Sequence, residues 1–187
     1  MSVVANPTIH QVKLTKRYEI AERTMAVQFE KPDNFTFKAG QSIDITLIHP
    51  SETDGEGNGR TFSITSAPDE DMLLVATRMR DTAFKRVLEA MPIGSEVKIE
   101  GPFGNLVLHN NQNRAAVFLA GGIGITPFRS IISQAAREQL PHCLILFYSN
   151  RRPEDAPFLQ ELQLLQGHGL NYTFVATMTD MSRSHRT

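Results

Sequence analysis

The stretch that decides the fold runs from residue 115 to residue 127 and reads AAVFLAGGIGITP. Its first six residues form an uninterrupted apolar run, which is typical of a buried parallel strand. Three glycines follow within four positions, and Thr126 and Pro127 then begin a segment with helical periodicity. A strand, a glycine-rich turn and a helix in this order are typical of α/β folds, where backbone can approach a bound phosphate closely. The stretch is not GxGxxG, so that fingerprint does not apply to it directly.

The chain after this stretch continues the same alternation. We predict a helix over residues 126–139, a strand over 144–148, a second helix over 153–166 and a third strand over 172–176. The second helix has Pro153 at its first position with two acidic residues after it, and Gly167 ends it. This succession predicts a parallel α/β sheet.

The chain before residue 110 has a different pattern. Short runs rich in β-branched residues, at 24–29, 42–48, 62–65, 73–77 and 96–99, alternate with turn signals. They predict an antiparallel barrel or sandwich. One helix interrupts them, capped by Asp81 or Thr82 and ended by Pro92. We place the domain boundary near residues 110–113, which gives a first domain over 1–110 and a second over 111–187.

Composition excludes several classes of protein. The net charge is −1, so nothing indicates nucleic acid or an anionic membrane as a partner. The single cysteine, Cys143, cannot form an internal disulfide or hold an iron–sulfur cluster, and the six histidines show no metal-ligand spacing. No signal peptide or membrane-length apolar stretch is visible. We therefore expect a cytoplasmic protein without a membrane span or a metal site.

The first candidate site is Arg60-Thr61-Phe62-Ser63. On an extended strand Arg60 and Phe62 share one face, and Ser63 turns to the other. A guanidinium pairs with a pyrophosphate, an aromatic ring stacks on a flavin, and a hydroxyl can hydrogen-bond a flavin nitrogen. Taken alone, the motif fits equally well a solvated arginine followed by a core phenylalanine.

The second candidate site runs from Arg78 to Phe84, where a strand end meets the start of a helix. The free N–H groups and the dipole of a helix N-terminus favour a bound anion, and Arg78 and Arg80 add positive charge. Taken alone, a capped surface helix with two solvated arginines explains these residues better.

Four motifs now stand in order: RTFS at 60–63, a helix start at Thr82, GPFG at 101–104 and AGGIGITPF at 120–128. In order and spacing they resemble the ferredoxin–NADP reductase superfamily, with its R-x-[YF]-S flavin motif and its GG-x-G-x-[TS]-P nicotinamide motif. The resemblance extends from about Val12 to Ala176. It implies two domains: a six-stranded antiparallel Greek-key β-barrel that binds FAD, then an α/β parallel-sheet domain that binds NADH or NADPH.

The resemblance also implies roles for individual residues. Arg60 would bind the FAD pyrophosphate, Phe62 would flank the flavin ring, and Ser63 would lie near the atom that receives hydride. Ser63 and Thr126 are the residues we assign to the transfer site. The rest of the FAD site would comprise Thr61, Thr77, Arg78, Arg80, Thr82 and Ala83. The nicotinamide dinucleotide would lie against Gly121, Gly122, Gly124, Thr126 and Pro127, with its adenosine ribose near Ser149, Asn150 and Arg151.

The function that follows is an FAD-dependent NAD(P)H oxidoreductase that passes electrons to a separate acceptor, either a protein or a small molecule. Family members also carry a later strand with a Cys-Gly-Pro-like turn and a C-terminal aromatic segment, both absent here. We therefore expect a fragment whose nucleotide domain is incomplete and whose run 115–120 is paired on one side only. The alternatives are a flavin-binding module with little independent turnover and a barrel with no flavin.

Overall fold

The structure is a computed structural model that describes residues 8–167 and 169–184. Its β-strands are β1 (Thr8–Ala21), β2 (Thr24–Glu30), β3 (Ser42–Leu47), β4 (Gly59–Ser63), β5 (Met72–Arg78), β6 (Glu96–Phe103), β7 (Ala116–Gly121), β8 (Leu144–Asn150) and β9 (Tyr172–Met178). Its α-helices are α1 (Ala83–Ala90), α2 (Thr126–Arg137) and α3 (Leu159–Leu164), and short 3₁₀ turns lie at Gly122–Ile125, Pro153–Asp155 and Met181–Arg183.

The first six strands form one antiparallel sheet in the order β4-β3-β6-β1-β2-β5. The two outer strands come together where the Thr65 amide, just after β4, donates to the carbonyl oxygen of Leu74 on β5, at 2.7 Å. The sheet therefore curls into the predicted barrel. The alternation of side chains on β3 fits an inner and an outer face of the barrel. Ile43, Ile45 and Leu47 are buried inside, while the residues between them are half exposed.

The last three strands form a parallel sheet in the order β7-β8-β9. Within the described residues β7 pairs only with β8, which confirms the prediction that this apolar run is an edge strand. One face of the sheet is buried through residues such as Phe118, Leu146 and Tyr148. The other face is open, with Val117 56%, Leu119 73% and Phe147 42% exposed.

The predicted bounds of the second helix, residues 153–166, are wrong. Pro153 does begin a turn, but this is a 3₁₀ turn that ends at Asp155, and α3 starts only at Leu159. The reason is Pro157, which disfavours helical backbone at the residue before it and has no N–H to donate. Ala156 is extended, and Phe158 adopts a left-handed conformation with φ +60°.

Buried hydrophobic residues fall into two clusters, one drawn from residues 12–99 and the other from 116–172 together with Ala39. Two side chains of α2 join them. Arg129 donates to the carbonyl oxygen of Thr65 and contacts the Glu70 carboxylate, and the Ser130 hydroxyl donates to the carbonyl oxygen of Ser66, at 2.6 Å. The predicted boundary near residues 110–113 lies between the clusters and stays a prediction. No helix of the described residues is long and apolar enough to cross a membrane.

Candidate functional site

The RTFS motif lies on β4, next to the start of α1. The Arg60 guanidinium is held by the carbonyl oxygens of Glu56, Gly57 and Gly59 and by two carboxylates, those of Asp54 at 3.1 Å and Glu56 at 2.9 Å. It also lies over the Phe84 ring of α1, 5.2 Å from the ring centroid. The other Asp54 oxygen accepts a hydrogen bond from the Ala83 amide, the first of α1, at 3.2 Å. One carboxylate thus bridges Arg60 and the helix N-terminus.

Positive charge is concentrated at this helix start. Burial lowers the pKa of Lys85, and the nearby charges of Arg80 and Arg60 lower it further. Thr82 occupies the N-cap position, yet its side chain makes no capping bond. The helix dipole and three cations favour an anion at this position, and the Asp54 carboxylate occupies it.

The remaining RTFS residues divide between the two faces of β4. Phe62 packs against Phe84, with ring centroids 5.8 Å apart, and only 9% of Phe62 is exposed. The structure therefore places this ring in the barrel core. Thr61 is on the other face, where its hydroxyl bonds the Asp44 carboxylate, so its side chain does not join Arg60. Ser63 is half-buried at the end of the strand.

The glycine-rich turn borders a separate cavity of about 490 Å³. Parallel pairing sets Gly121 at the end of β7 beside Ser149 at the end of β8, so the loops after both strands meet at one edge. The cavity is lined by Arg78, Gly122, Ser149, Asn150, Arg151, Asp155 and Thr179. It brings together four residues predicted for the nicotinamide dinucleotide and one predicted for FAD.

Asn150 is the most informative of these side chains. It is 6% exposed, and neither its amide nitrogen nor its amide oxygen has a hydrogen-bond partner among the described residues. The neighbouring Tyr148 hydroxyl lies close to this amide. It is also within hydrogen-bonding distance of the carbonyl oxygens of Gly122 and Pro157, at 3.1 and 3.0 Å, and its single proton serves one acceptor at a time. A buried amide with free donor and acceptor capacity is ready to bind a polar ligand such as a ribose hydroxyl.

Two predicted sites meet at Arg78. Its guanidinium is 3.8 Å from the Asp155 carboxylate, which links the end of β5 to the turn after β8. Asp155 is buried and also binds Arg152 through two contacts, at 2.9 and 3.0 Å. Arg152 holds the pKa of Asp155 below its ordinary value, so the carboxylate stays charged beside the cavity.

Other predicted residues lie outside this cavity. Thr126 is buried, and its hydroxyl donates to the carbonyl oxygen of Ile123, at 3.1 Å, which ties it to the turn. Pro127 is buried in the first turn of α2. Thr77 is buried at the end of β5, whereas Arg80 is exposed before α1. The roles assigned to these residues stay predictions.

Sequence reasoning missed three features of the site. In the sequence, the acidic residue Asp155 is accounted for by the start of a predicted helix. Its contact with Arg78 follows only from the fold. Thr179, in a tail without any fold signal, lines the cavity and donates its amide to the carbonyl oxygen of Asn150, at 3.0 Å. Asp54 and Glu56 lie in the loop before β4, where the sequence indicated no role for them, yet both bind Arg60.

Comparisons with known proteins agree with this architecture. The family model of the oxidoreductase NAD-binding domain matches residues 118–187. Ferredoxin–NADP reductase B of Sorangium cellulosum is 31% identical over 143 residues, which cover 74% of this chain and 57% of that protein. The chain is therefore similar to ferredoxin–NADP reductases, and in this comparison it spans a little over half of the relative's length. Methane monooxygenase component C of Methylosinus trichosporium is a second relative, 30% identical over 134 residues.

Solved structures show the same fold. A ferredoxin–NADP⁺ reductase from Neisseria gonorrhoeae, solved with bound FAD and NADP, superposes with a TM-score of 0.77 over 96% of this chain and 70% of that one, at 24% identity. The predicted fold class, an antiparallel barrel followed by a parallel α/β sheet, is therefore confirmed. The match with component C covers 71% of this chain but only 38% of that relative.

Proposed function

We propose that this chain binds FAD at the barrel and acts as an NAD(P)H oxidoreductase that passes electrons to a separate acceptor. The observation that carries the proposal is the Asp54 carboxylate, which touches both the Arg60 guanidinium and the Ala83 amide. One small anion can therefore bridge the two groups that we assign to the FAD pyrophosphate. The relatives named above, a ferredoxin–NADP reductase and a monooxygenase component, support the same chemistry.

The donor set fits a dinucleotide. Arg60, with Arg80 and Lys85 nearby, supplies positive charge, and the first amide of α1 supplies a directed N–H. FAD, when bound, would supply acceptance of a hydride and release of single electrons. The chain would hold the pyrophosphate through Arg60 and orient the ring through Ser63 at the end of β4. We propose that the rest of the predicted FAD set supports these two residues.

The nicotinamide dinucleotide would enter the cavity beside Gly122. There the unpaired amide of Asn150 would bind a ribose hydroxyl, and Ser149 and Arg151 would lie near the adenosine. Arg78 borders this cavity and is the last residue of the barrel strand β5, so one side chain connects both sites. We propose a cytoplasmic location, which the single cysteine favours.

A flavin-binding module with little independent turnover is the second candidate. The edge position of β7 favours it, since no described strand stands on the far side of the glycine-rich turn. The crevice between neighbouring strands, where dinucleotides bind in such folds, then has one wall only.

The visible spectrum of the full chain tests both candidates. We expect FAD to bind with a flavin absorption band that bleaches when NADH or NADPH is added without oxygen. A yellow protein that neither nucleotide reduces would favour the module, and a chain that takes up no added FAD would refute both.

A further inference from the structure

The acidic loop, residues 51–58 between β3 and β4, occupies the position that we assign to the FAD pyrophosphate. Asp54 binds Arg60 through one oxygen and the N-terminus of α1 through the other, at 3.1 and 3.2 Å. Glu56 places a second carboxylate oxygen 2.9 Å from the same guanidinium nitrogen. A pyrophosphate oxygen at these donors would need the space that the two carboxylates fill.

The loop carries the right charge to imitate a diphosphate. The Glu56 amide, and next the Arg60 guanidinium, stabilise the ionised form of Asp54 and lower its pKa, so it is an anion at neutral pH. Two carboxylates on one guanidinium offer several oxygens to one donor fork, as a diphosphate does. The cap position of α1 is left open by Thr82 and is filled from the loop instead.

The tip of the acidic loop is exposed. A Cβ atom placed on Gly55 or Gly57 would meet no other atom within 4 Å, so the loop tip projects into open space. Its first part is fastened to α1 by an ion pair between Glu52 and Arg86, at 2.6 Å, which does not involve Asp54. The tip is also held by Arg60, which donates to the carbonyl oxygens of Glu56 and Gly57, so the two carboxylates leave as these contacts open while the Glu52 anchor stays in place.

We propose that the acidic loop is an internal competitor for the diphosphate site, and that flavin dinucleotide binds only as Asp54 and Glu56 leave Arg60 and α1. Two consequences follow. The affinity for FAD is reduced by the fraction of molecules in which the loop is closed. Ligands without phosphate do not meet this competition. The inference rests on the proposed function for its ligand, whereas the anion site itself can be tested without flavin.

The test compares the full chain with its Asp54→Asn variant, in which the side chain can still cap α1 but carries no charge. Three probes are titrated: FAD, riboflavin and inorganic pyrophosphate. We expect Asp54→Asn to bind FAD and pyrophosphate about three- to tenfold more tightly, because a neutral hydrogen bond to Arg60 is weaker than a charged one. Riboflavin, which has no phosphate, should bind equally to both proteins.

Asp81→Asn is the matched control. Asp81 lies just before α1, is 89% exposed and pairs with Arg86, so its removal changes the same local charge without opening the diphosphate site. It should bind all three probes like the parent. As a further check, the double variant Arg60→Ala, Asp54→Asn should bind FAD and pyrophosphate no more tightly than the single variant Arg60→Ala. If Asp54→Asn unfolds the chain, Glu56→Gln, a more exposed side chain on the same guanidinium, should give a smaller gain.

The outcomes separate this inference from the proposed function. Equal affinity of the parent and Asp54→Asn for pyrophosphate, or equal gains in Asp54→Asn and Asp81→Asn, would overturn it. So would the absence of pyrophosphate binding to either protein. Tighter pyrophosphate binding by Asp54→Asn with no uptake of FAD by any variant would support the competitor and refute the flavin function.

Discussion

The guanidinium of Arg129 on α2 donates a hydrogen bond to the carbonyl oxygen of Thr65, at 2.8 Å, and so fastens the parallel sheet to the barrel. The same side chain pairs with Glu70 of the barrel half and with Glu161 of α3, at 3.2 and 2.8 Å, and lies over the Phe158 ring. A single buried cation thus joins three segments that are far apart in sequence.

Arg129→Ala should lower the free energy of unfolding by about 2–3 kcal/mol, because it removes the partner of the buried Thr65 carbonyl oxygen and of Glu161 and takes one of two arginines from Glu70. Urea denaturation measures the change. Arg137→Ala is the control: this exposed arginine of α2 pairs with Asp69 and Glu70 and should cost less than about 1 kcal/mol. Equal losses in the two variants would contradict the role of Arg129 as the junction.

Arg60→Ala should weaken FAD binding about ten- to a hundredfold, the amount expected for a lost charge-assisted hydrogen bond, and should leave the barrel folded. Fluorescence titration with FAD measures it. Arg137→Ala removes an exposed arginine of α2 that pairs with Asp69 and Glu70 and has no described contact with Arg60 or the acidic loop, so it should retain the affinity of the parent. An Arg60→Ala protein with unchanged FAD affinity would refute the pyrophosphate assignment.

Ser63→Ala should keep FAD bound and slow its reduction by NADH or NADPH. The hydroxyl stands at the end of β4 and is assigned to the reacting ring, while the anchoring charge belongs to Arg60. Anaerobic stopped-flow absorbance separates the two effects, and Ser63→Thr, which retains a hydroxyl, should restore most of the rate. Reduction of Ser63→Ala at the rate of the parent would rule out this role.

Gly122→Val should block the nicotinamide dinucleotide and spare FAD. Gly122 has φ +50°, a conformation that a β-branched residue adopts only under strain, and the added methyl groups would enter the cavity. Gly167→Val controls for strain, since Gly167 also has positive φ but lies after α3, outside the residues that line the cavity. If Gly122→Val titrates with NADH or NADPH as Gly167→Val does, the cavity has been misassigned.

Acid should weaken the fold partly through Asp155. Its folded-state pKa is held below the ordinary value of 3.8, chiefly by Arg152, so its ionised form stabilises the folded chain. That contribution is complete above the unfolded pKa and is lost as pH falls through the lower folded pKa. Asp155→Asn should therefore lose less stability between about pH 5 and pH 2 than the parent in urea titrations. A parallel pH profile for both proteins would contradict it.

Local patterns were sufficient to predict most of the elements. Alternation predicted β3, and the apolar run before the glycines predicted β7. Helical periodicity predicted α1 and α2 within about two residues at their ends. The prediction failed between Asp155 and Leu159, where Pro157 interrupts a segment whose acidic start and apolar spacing favour a continuous helix.

The sequence by itself determined the strand–turn–helix around Gly122, the motif on β4 and the parallel order of the last strands, because these depend on neighbours in the chain. Only the tertiary structure decided that Asp54 binds Arg60 and α1, that Asp155 meets Arg78, and that Arg129 reaches Thr65. The physical reason is that charged side chains pair wherever folding brings them together, and an ion pair between distant segments leaves no periodicity in the sequence. Phe62 illustrates the same limit: its pattern fits a stacking ring and a core residue equally, and packing against Phe84 decided where it lies.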